Sequence, residues 1–142
     1  MKYIITESQY RILNEEPEEI LEIPFKMFSN DWYFLQEYIE MIGNPPYIIT
    51  GNLNLRGFKV ITLGSLVGVE GYLDLSSNRT IEDLGDIRYV GTYLGLGRSN
   101  IKSLGNLESV GGDLDLRRTP LSEKTTSAKI RKQVYVGGEI FF

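Results

Sequence analysis

The sequence predicts an α/β repeat solenoid of about five turns. The turns share a short parallel sheet, behind an N-terminal helical cap, and a short C-terminal helix precedes the last strand. Three observations lead there. First, the phrase "LGNLESVGGDLDL" at Leu104–Leu116 has near-copies, "LGSLVGVEGYLDL" at Leu63–Leu75 and "LGDIRYVGTYLGL" at Leu84–Leu96. Second, paired apolar residues recur at Leu53/Leu55, Leu73/Leu75, Leu94/Leu96, Leu114/Leu116 and Ile140/Phe142, in steps of 20, 21, 20 and 26 residues. A fixed period of this length marks stacked turns, each too small to bury its own apolar edge. Third, Gly51, Gly71, Gly112 and Gly138 stand two residues before the pairs, while Gly64, Gly85 and Gly105 follow Leu63, Leu84 and Leu104. Glycine suits corners that need positive φ or close backbone approach.

Within each turn the L-x-L pair reads as a short strand, leucines inward and their neighbours outward. Four residues upstream sits a second apolar set, Ile49, Val69, Val90, Val110 and Val136, and a third follows the pairs at Val60, Ile81, Ile101 and Leu121. Apolar residues three apart (Leu63, Leu66, Val69 and their equivalents) complete the turn. The one extra residue of the second copy falls in "SSNRT", Ser76–Thr80, a polar corner where an insertion is tolerated.

The pattern L-x-L-x-x-N-x-I resembles the core of a leucine-rich repeat at the short end of that family's repeat lengths, over roughly Ile49–Leu121 plus a last turn at Val136–Phe142. The "LGNLESVGGDLDL" wording also resembles short repeat proteins encoded by tailed bacteriophages and some bacteria. The position of that family's buried Asn holds Phe58, Asn78, Ser99 and Thr119, so only a weak polar column is expected. The upstream apolar residue stands four rather than three before the pair, which leaves a β-helix-like or L-domain-like turn open beside a horseshoe. The resemblance implies protein recognition rather than chemistry.

Residues 1–46 read as the cap, 47–121 as the repeat turns and 122–142 as a C-terminal helix and final strand. In the cap, "YIIT" at Tyr3–Thr6 fits a strand, and "TESQ" is a capping box with Thr6 at N-cap and Gln9 at N3, opening a helix to about Asn14. "SNDWYFLQEYIEMIGNPP" reads as a second helix with Asn30 as cap, an apolar stripe of Trp32, Leu35, Ile39 and Ile42, and a stop at Gly43 before Pro45-Pro46. The stretch Glu15–Phe28, acidic and then apolar, receives no assignment. Near the other end a helix is expected over about Ser122–Lys132, with Lys129, Arg131 and Lys132 either complementing its dipole or contacting an acidic partner. "VYVGGEIFF" then reads as one apolar edge strand.

Composition narrows the chemistry. The chain of 142 residues is 42% hydrophobic and 24% charged, with formal net charge −4 and neither Cys nor His. Disulfides, Cys/His zinc sites and Ser-His or Cys-His nucleophiles are excluded. The negative charge argues against a general nucleic-acid surface, although a local basic patch is compatible with it. "MKYIITESQY" carries no long apolar run or cleavage site, so a cytoplasmic protein without membrane contact is expected. Asp74 and Asp115 occupy equivalent outward positions two turns apart, ~10 Å at strand spacing, which is too wide for a glycosidase pair. A calcium site from Asp74, Asp113 and Asp115 lacks a ligand-rich loop. No enzyme, metal or cofactor is expected.

The outward strand positions form three columns: Asn52, Tyr72, Tyr93, Asp113, Glu139; then Asn54, Asp74, Gly95, Asp115, Phe141; then Arg56, Ser76, Gly97, Arg117. Stacked turns commonly bind along such a surface, and Tyr and Arg are favoured at interface hot spots. The candidate partner site is Arg56, Tyr72, Asp74, Tyr93, Asp115 and Arg117, with Gly95 and Gly97 as a bare patch for a partner side chain. The partner is an unidentified protein. The plainer reading makes these residues a solvated face with Tyr72 and Tyr93 as a supporting pair. Two alternatives stand beside binding: assembly of copies through Val136, Ile140 and Phe141, and a carbohydrate surface with Tyr72 and Tyr93 stacking on sugars.

Overall fold

The computed structural model of the protein describes residues 20–142. The strand at Tyr3–Thr6 and the helix capped by Thr6 lie outside the described residues. Among the described residues the chain forms two parallel sheets, of six and five strands, and two α-helices. The arrangement is α/β, a repeat-like parallel stack.

The L-x-L pairs build the five-stranded sheet: β3 (Leu53–Asn54), β5 (Leu73–Asp74), β7 (Leu94–Gly95), β9 (Leu114–Asp115) and β11 (Ile140–Phe141), side by side in chain order. Register is direct, with Leu53, Leu73, Leu94, Leu114 and Ile140 in one row. A single short sheet was expected; the structure has a second. The upstream apolar residues form it, in the order β1 (Leu21–Pro24), β2 (Tyr47–Thr50), β4 (Leu66–Val69), β6 (Tyr89–Val90), β8 (Ser109–Val110) and β10 (Tyr135–Val136). The corner between the two strands of a turn is short, and its amides bond to the turn before: Gly91 N–H to Val69 O at 2.8 Å, Gly111 N–H to Val90 O at 2.9 Å, Gly112 N–H to Thr92 O at 2.7 Å. Pairing therefore continues around the corner, as buried backbone groups require. The approach is close. A Cβ on Gly111 would lie 2.0 Å from the Gly91 carbonyl oxygen, and one on Gly91 1.9 Å from that of Glu70.

Both sheets contribute to one apolar core. Leu53, Leu55, Leu73, Leu75, Leu94, Leu96, Leu114 and Leu116 meet Ile49, Val69, Val90, Val110 and Val136 there, closed by Val60, Ile81 and Ile101. Each fully buried leucine contributes ~2 kcal/mol of apolar burial. The polar column beside it is stronger than expected, since Asn78, Ser99 and Thr119 are all buried. Asn78 donates from Nδ2 to Phe58 O (3.2 Å), and its Oδ1 accepts from Thr80 N (3.0 Å) and Ile81 N (3.1 Å), tying two turns together.

The helix α1 (Trp32–Met41) buries Trp32, Leu35 and Ile39. Its cap is Asp31 rather than Asn30. Asn30 has φ +53°, whereas Asp31 is extended and accepts from Tyr33 N at 2.9 Å and Phe34 N at 3.3 Å, as an N-cap must. Strand β1 lies in the stretch left unassigned, with Leu21 and Ile23 buried in alternation. At the other end, the expected helix from Ser122 is replaced by a 3-10 turn, Leu121–Glu123, followed by α2 (Ser127–Gln133). Ser122 is held by Thr119 (Ser122 N to Oγ1, 3.1 Å; Ser122 Oγ to Thr119 O, 2.8 Å), and extended Thr126 supplies the cap, accepting from Lys129 N at 3.3 Å. "VYVGGEIFF" is two strands, not one. Gly137-Gly138 turn the corner that Gly111-Gly112 turn one repeat earlier, so Val136 and Ile140 join different sheets. Arg131 of α2 fastens that corner, donating to Val136 O and Gly138 O, each at 2.7 Å. Among the described residues no helix is long and apolar enough to cross a membrane.

Candidate functional site

The outward face of the five-stranded sheet carries the predicted site residues, and strand register decides which of them meet. Asn54, Asp74, Gly95, Asp115 and Phe141 lie in one row. Three of these carry a local backbone task. Asn54, Asp74 and Asp115 each accept from the amide two residues on: Arg56 N at 3.1 Å, Ser76 N at 2.9 Å and Arg117 N at 3.0 Å. This is the Asx turn, in which a short carbonyl side chain bends the backbone. Asp74 also accepts from the Ser76 hydroxyl. In the neighbouring row, Asn52 Oδ1 accepts from Tyr72 N and Asp113 Oδ1 from Glu139 N, each at 2.9 Å. Asp74, Asp113 and Asp115 are thus committed to separate partners, and Asp74 and Asp115 stand two strands apart, on either side of β7.

A denser constellation forms over β7, β9 and β11. Asp115 is buried and accepts from Arg117 Nε and Nη2, both at 3.0 Å, and from the Tyr93 hydroxyl at 3.4 Å. The Arg117 guanidinium lies 5.4 Å from the centre of the Phe141 ring, a cation–π contact. Burial pushes the Asp115 carboxyl up, but the hydrogen bonds and charge of Arg117 outweigh it, and the net shift is down. Tyr93 moves up, first through burial and then through the charges of Asp115 and Asp74. The Asp115 carboxylate raises Arg117. The cluster is therefore a fixed carboxylate, a fixed guanidinium and a neutral phenol: groups that hold charge and donate hydrogen bonds, without a carboxyl tuned to carry a proton.

The bare patch expected at Gly95 and Gly97 is filled. The Tyr93 ring lies across Gly95, where an added Cβ would come within 2.7 Å of it, and the Asp115 carboxylate lies over Gly97, where an added Cβ would meet its Oδ2 at 3.2 Å. Both glycines are buried. Period and alternation place a Cα; they do not reveal that Tyr93 folds down over its neighbour. Tyr72 is half-buried and Tyr93 exposed, next to each other in the sheet. Arg56 is exposed at the first turn. Val136 is buried in β10, whereas Ile140 and Phe141 lie on β11, Phe141 exposed.

A cleft of about 440 Å³ opens where the strands end, lined by Arg56, Ser76, Ser77, Gly97, Arg98, Asp115, Arg117 and Arg118. A second, of about 390 Å³, adjoins it through Arg56, Ser76 and Ser77 and adds Lys59. Arg98 and Arg118 fall one residue beyond the three columns read from the sequence. The signal was their shared offset of two from the second leucine, the offset of Gly57 and Ser77 as well. Compared with family models, with curated proteins and with solved structures, the chain has no significant match.

Proposed function

We propose that this is a non-enzymatic protein-binding module, a leucine-rich-repeat-like solenoid whose two sheets are walls of one stack and whose five-stranded face meets a partner protein. The site is Arg56, Tyr72, Asp74, Tyr93, Asp115 and Arg117, extended by Phe141. One observation carries the reading. Arg117 is largely exposed yet held by two bonds to buried Asp115 and by the ring of Phe141. A surface arginine fixed in this way loses little side-chain freedom when a partner arrives, and ordering of that kind is a main cost of association. Tyr and Arg are also the residue types on which binding energy concentrates. The proposed setting is the cytoplasm, for a protein of the phage or bacterial kind that the wording resembles.

The test is affinity capture from a lysate of the source cells, read by mass spectrometry, with the wild-type chain beside a folded Tyr72→Ala/Asp74→Lys/Tyr93→Ala variant. A partner held by the first and lost by the second supports the reading. Equal retention by both removes this face from the site.

A second reading has its own observation. Among the described residues β10 and β11 are the last strands of their sheets, and Tyr135, Phe141 and Phe142 beside those edges are 67%, 38% and 46% exposed. Unpaired apolar edges are templates for a second copy. A solution mass that rises with concentration and stays monomeric in Phe141→Lys supports assembly; a concentration-independent monomer removes it.

A further inference from the structure

We propose that the arginine-lined cleft at the end of the five-stranded sheet docks an acidic segment of the partner polypeptide, with Arg56, Arg98 and Arg118 as the carboxylate-reading residues. The inference rests on the protein-binding reading and names the chemistry of what is bound.

Charge is the first argument. The cleft gathers four guanidiniums around one carboxylate, Asp115, in a chain whose net charge is −4. Asp115 is taken by Arg117, and among the described residues no carboxylate forms an ion pair with Arg56, Arg98 or Arg118. Elsewhere the turns neutralise their cations along the stack, Arg88 with Glu108 at 3.2 Å and Lys102 with Glu82 at 3.3 Å. Among the described residues, cations without an ion pair are gathered into a lined cleft at this corner, and Lys59 in the adjoining cleft prolongs the strip; Lys129 and Lys132 on α2 carry no ion pair either, which makes them the matched control.

Backbone conformation is the second. Gly57, Ser77, Arg98 and Arg118 occupy the same corner, and all are left-handed, at φ +86°, +64°, +60° and +59°. Glycine and asparagine take this conformation with least strain. Two successive turns nevertheless place arginine there, and a strained position that keeps a long charged side chain points to a use for that side chain.

The third argument is extent. From the first turn to the fourth, the strip crosses three strand spacings, ~14 Å, the length of four or five extended residues. The guanidinium fork matches carboxylate and phosphate alike, so the choice of a polypeptide follows from the protein-binding reading and from the net charge of −4, which disfavours a phosphate backbone; Tyr93 and Phe141 touch the lining residues Asp115 and Arg117.

The experiment measures fluorescence anisotropy of a labelled oligo-glutamate of about ten residues against the wild-type chain, an Arg98→Ser/Arg118→Ser variant and a Lys129→Ser/Lys132→Ser control. The first variant copies the serine already present at residue 77, so the corner keeps a side chain it accommodates. The control removes equal charge from α2. The expected result is binding by the wild type, weakened about tenfold or more in the corner variant and less than about twofold in the control. No binding by the wild type, or equal loss in both variants, overturns the proposal. An oligonucleotide or inorganic phosphate that displaces the peptide at equal charge concentration also overturns it. The capture experiment keeps the two readings apart. If a partner depends on Tyr72 and Tyr93 while oligo-glutamate does not bind, the acidic-segment proposal falls and the binding face stands. If oligo-glutamate binds at the corner while capture is indifferent to Tyr72, Asp74 and Tyr93, the corner stands as the binding site and those three residues drop out of it.

Discussion

Gly111→Ala is expected to cost about 3 kcal/mol, and the structure says why. The new Cβ would lie 2.0 Å from the carbonyl oxygen of Gly91, against a normal carbon–oxygen contact of about 3.3 Å. Both are parts of the stack, so no flexible side chain can yield. The turn must retreat by roughly 1 Å, and the bonds from Gly111 N–H to Val90 O (2.9 Å) and from Gly112 N–H to Thr92 O (2.7 Å) then pass the limit of useful length. Two net hydrogen bonds at about 1 kcal/mol each, and about 1 kcal/mol of loosened packing around fully buried Val110, give the total. Total stabilities run about 5–15 kcal/mol, so the variant folds but weakly. The control is Gly85→Ala. Its φ is +58°, but the nearest atom to an added Cβ is Asp83 Oδ1 at 3.9 Å, so only left-handed strain of about 1 kcal/mol applies. Urea unfolding followed by far-UV circular dichroism reads both. With a slope of about 2 kcal/mol/M, Gly111→Ala drops the midpoint by about 1.5 M and Gly85→Ala by about 0.5 M. Equal midpoints for the two variants would refute the close-stacking argument.

Three further outcomes are expected. Asp115 has a lowered folded pKa, so its stabilising contribution is present above the ordinary carboxylate value of about 3.9 and is lost as pH falls through the folded value. Wild type and Asp115→Asn, compared by urea midpoint, should differ at neutral pH and converge in acid; a gap that persists there contradicts the ionised assignment. Leu94→Ala, at a fully buried position in the middle strand, should cost about 3–4 kcal/mol through lost burial and a cavity, read by the same unfolding curves. Asn78→Ala leaves Thr80 N and Ile81 N without their acceptor and should lower stability by about 2–3 kcal/mol, with Asn78→Asp, which keeps an acceptor, intermediate.

The L-x-L register was legible because its period holds over the first four pairs, and each leucine it placed inward is buried; the fifth pair follows after 26 residues, and its Phe142 is exposed. The second sheet was hidden. Three of its six strands are only two residues long, and Ser109–Val110 offers a single alternation to read. The split of the last strand was nevertheless written in the sequence: "VGGEIFF" aligns with "VGGDLDL", and both turn at the paired glycines. The cap moved from Asn30 to Asp31 because adjacent side chains of equal capping power are separated only by φ. At the site, the rows followed from register, but the collapse of Tyr93 onto Gly95 and the grip of Asp115 on Arg117 depend on rotamers that no spacing encodes. Arg98 and Arg118 were missed for a different reason. A left-handed corner is normally scanned for glycine, and two arginines there look like ordinary surface.

Direct register also makes the face a quantity that changes in whole steps. Each strand of the five-stranded sheet pairs with the equivalent residues of the next, about 20 positions on. Removing or duplicating one such unit leaves every remaining side chain in its own row and brings the cap and the last corner closer, or moves them apart, by one strand spacing, ~4.8 Å. A gene can thus lengthen or shorten this surface by copying a phrase, and alter its chemistry by rewriting one word, such as "GRS" for "SSN" at the corner, without renegotiating the core.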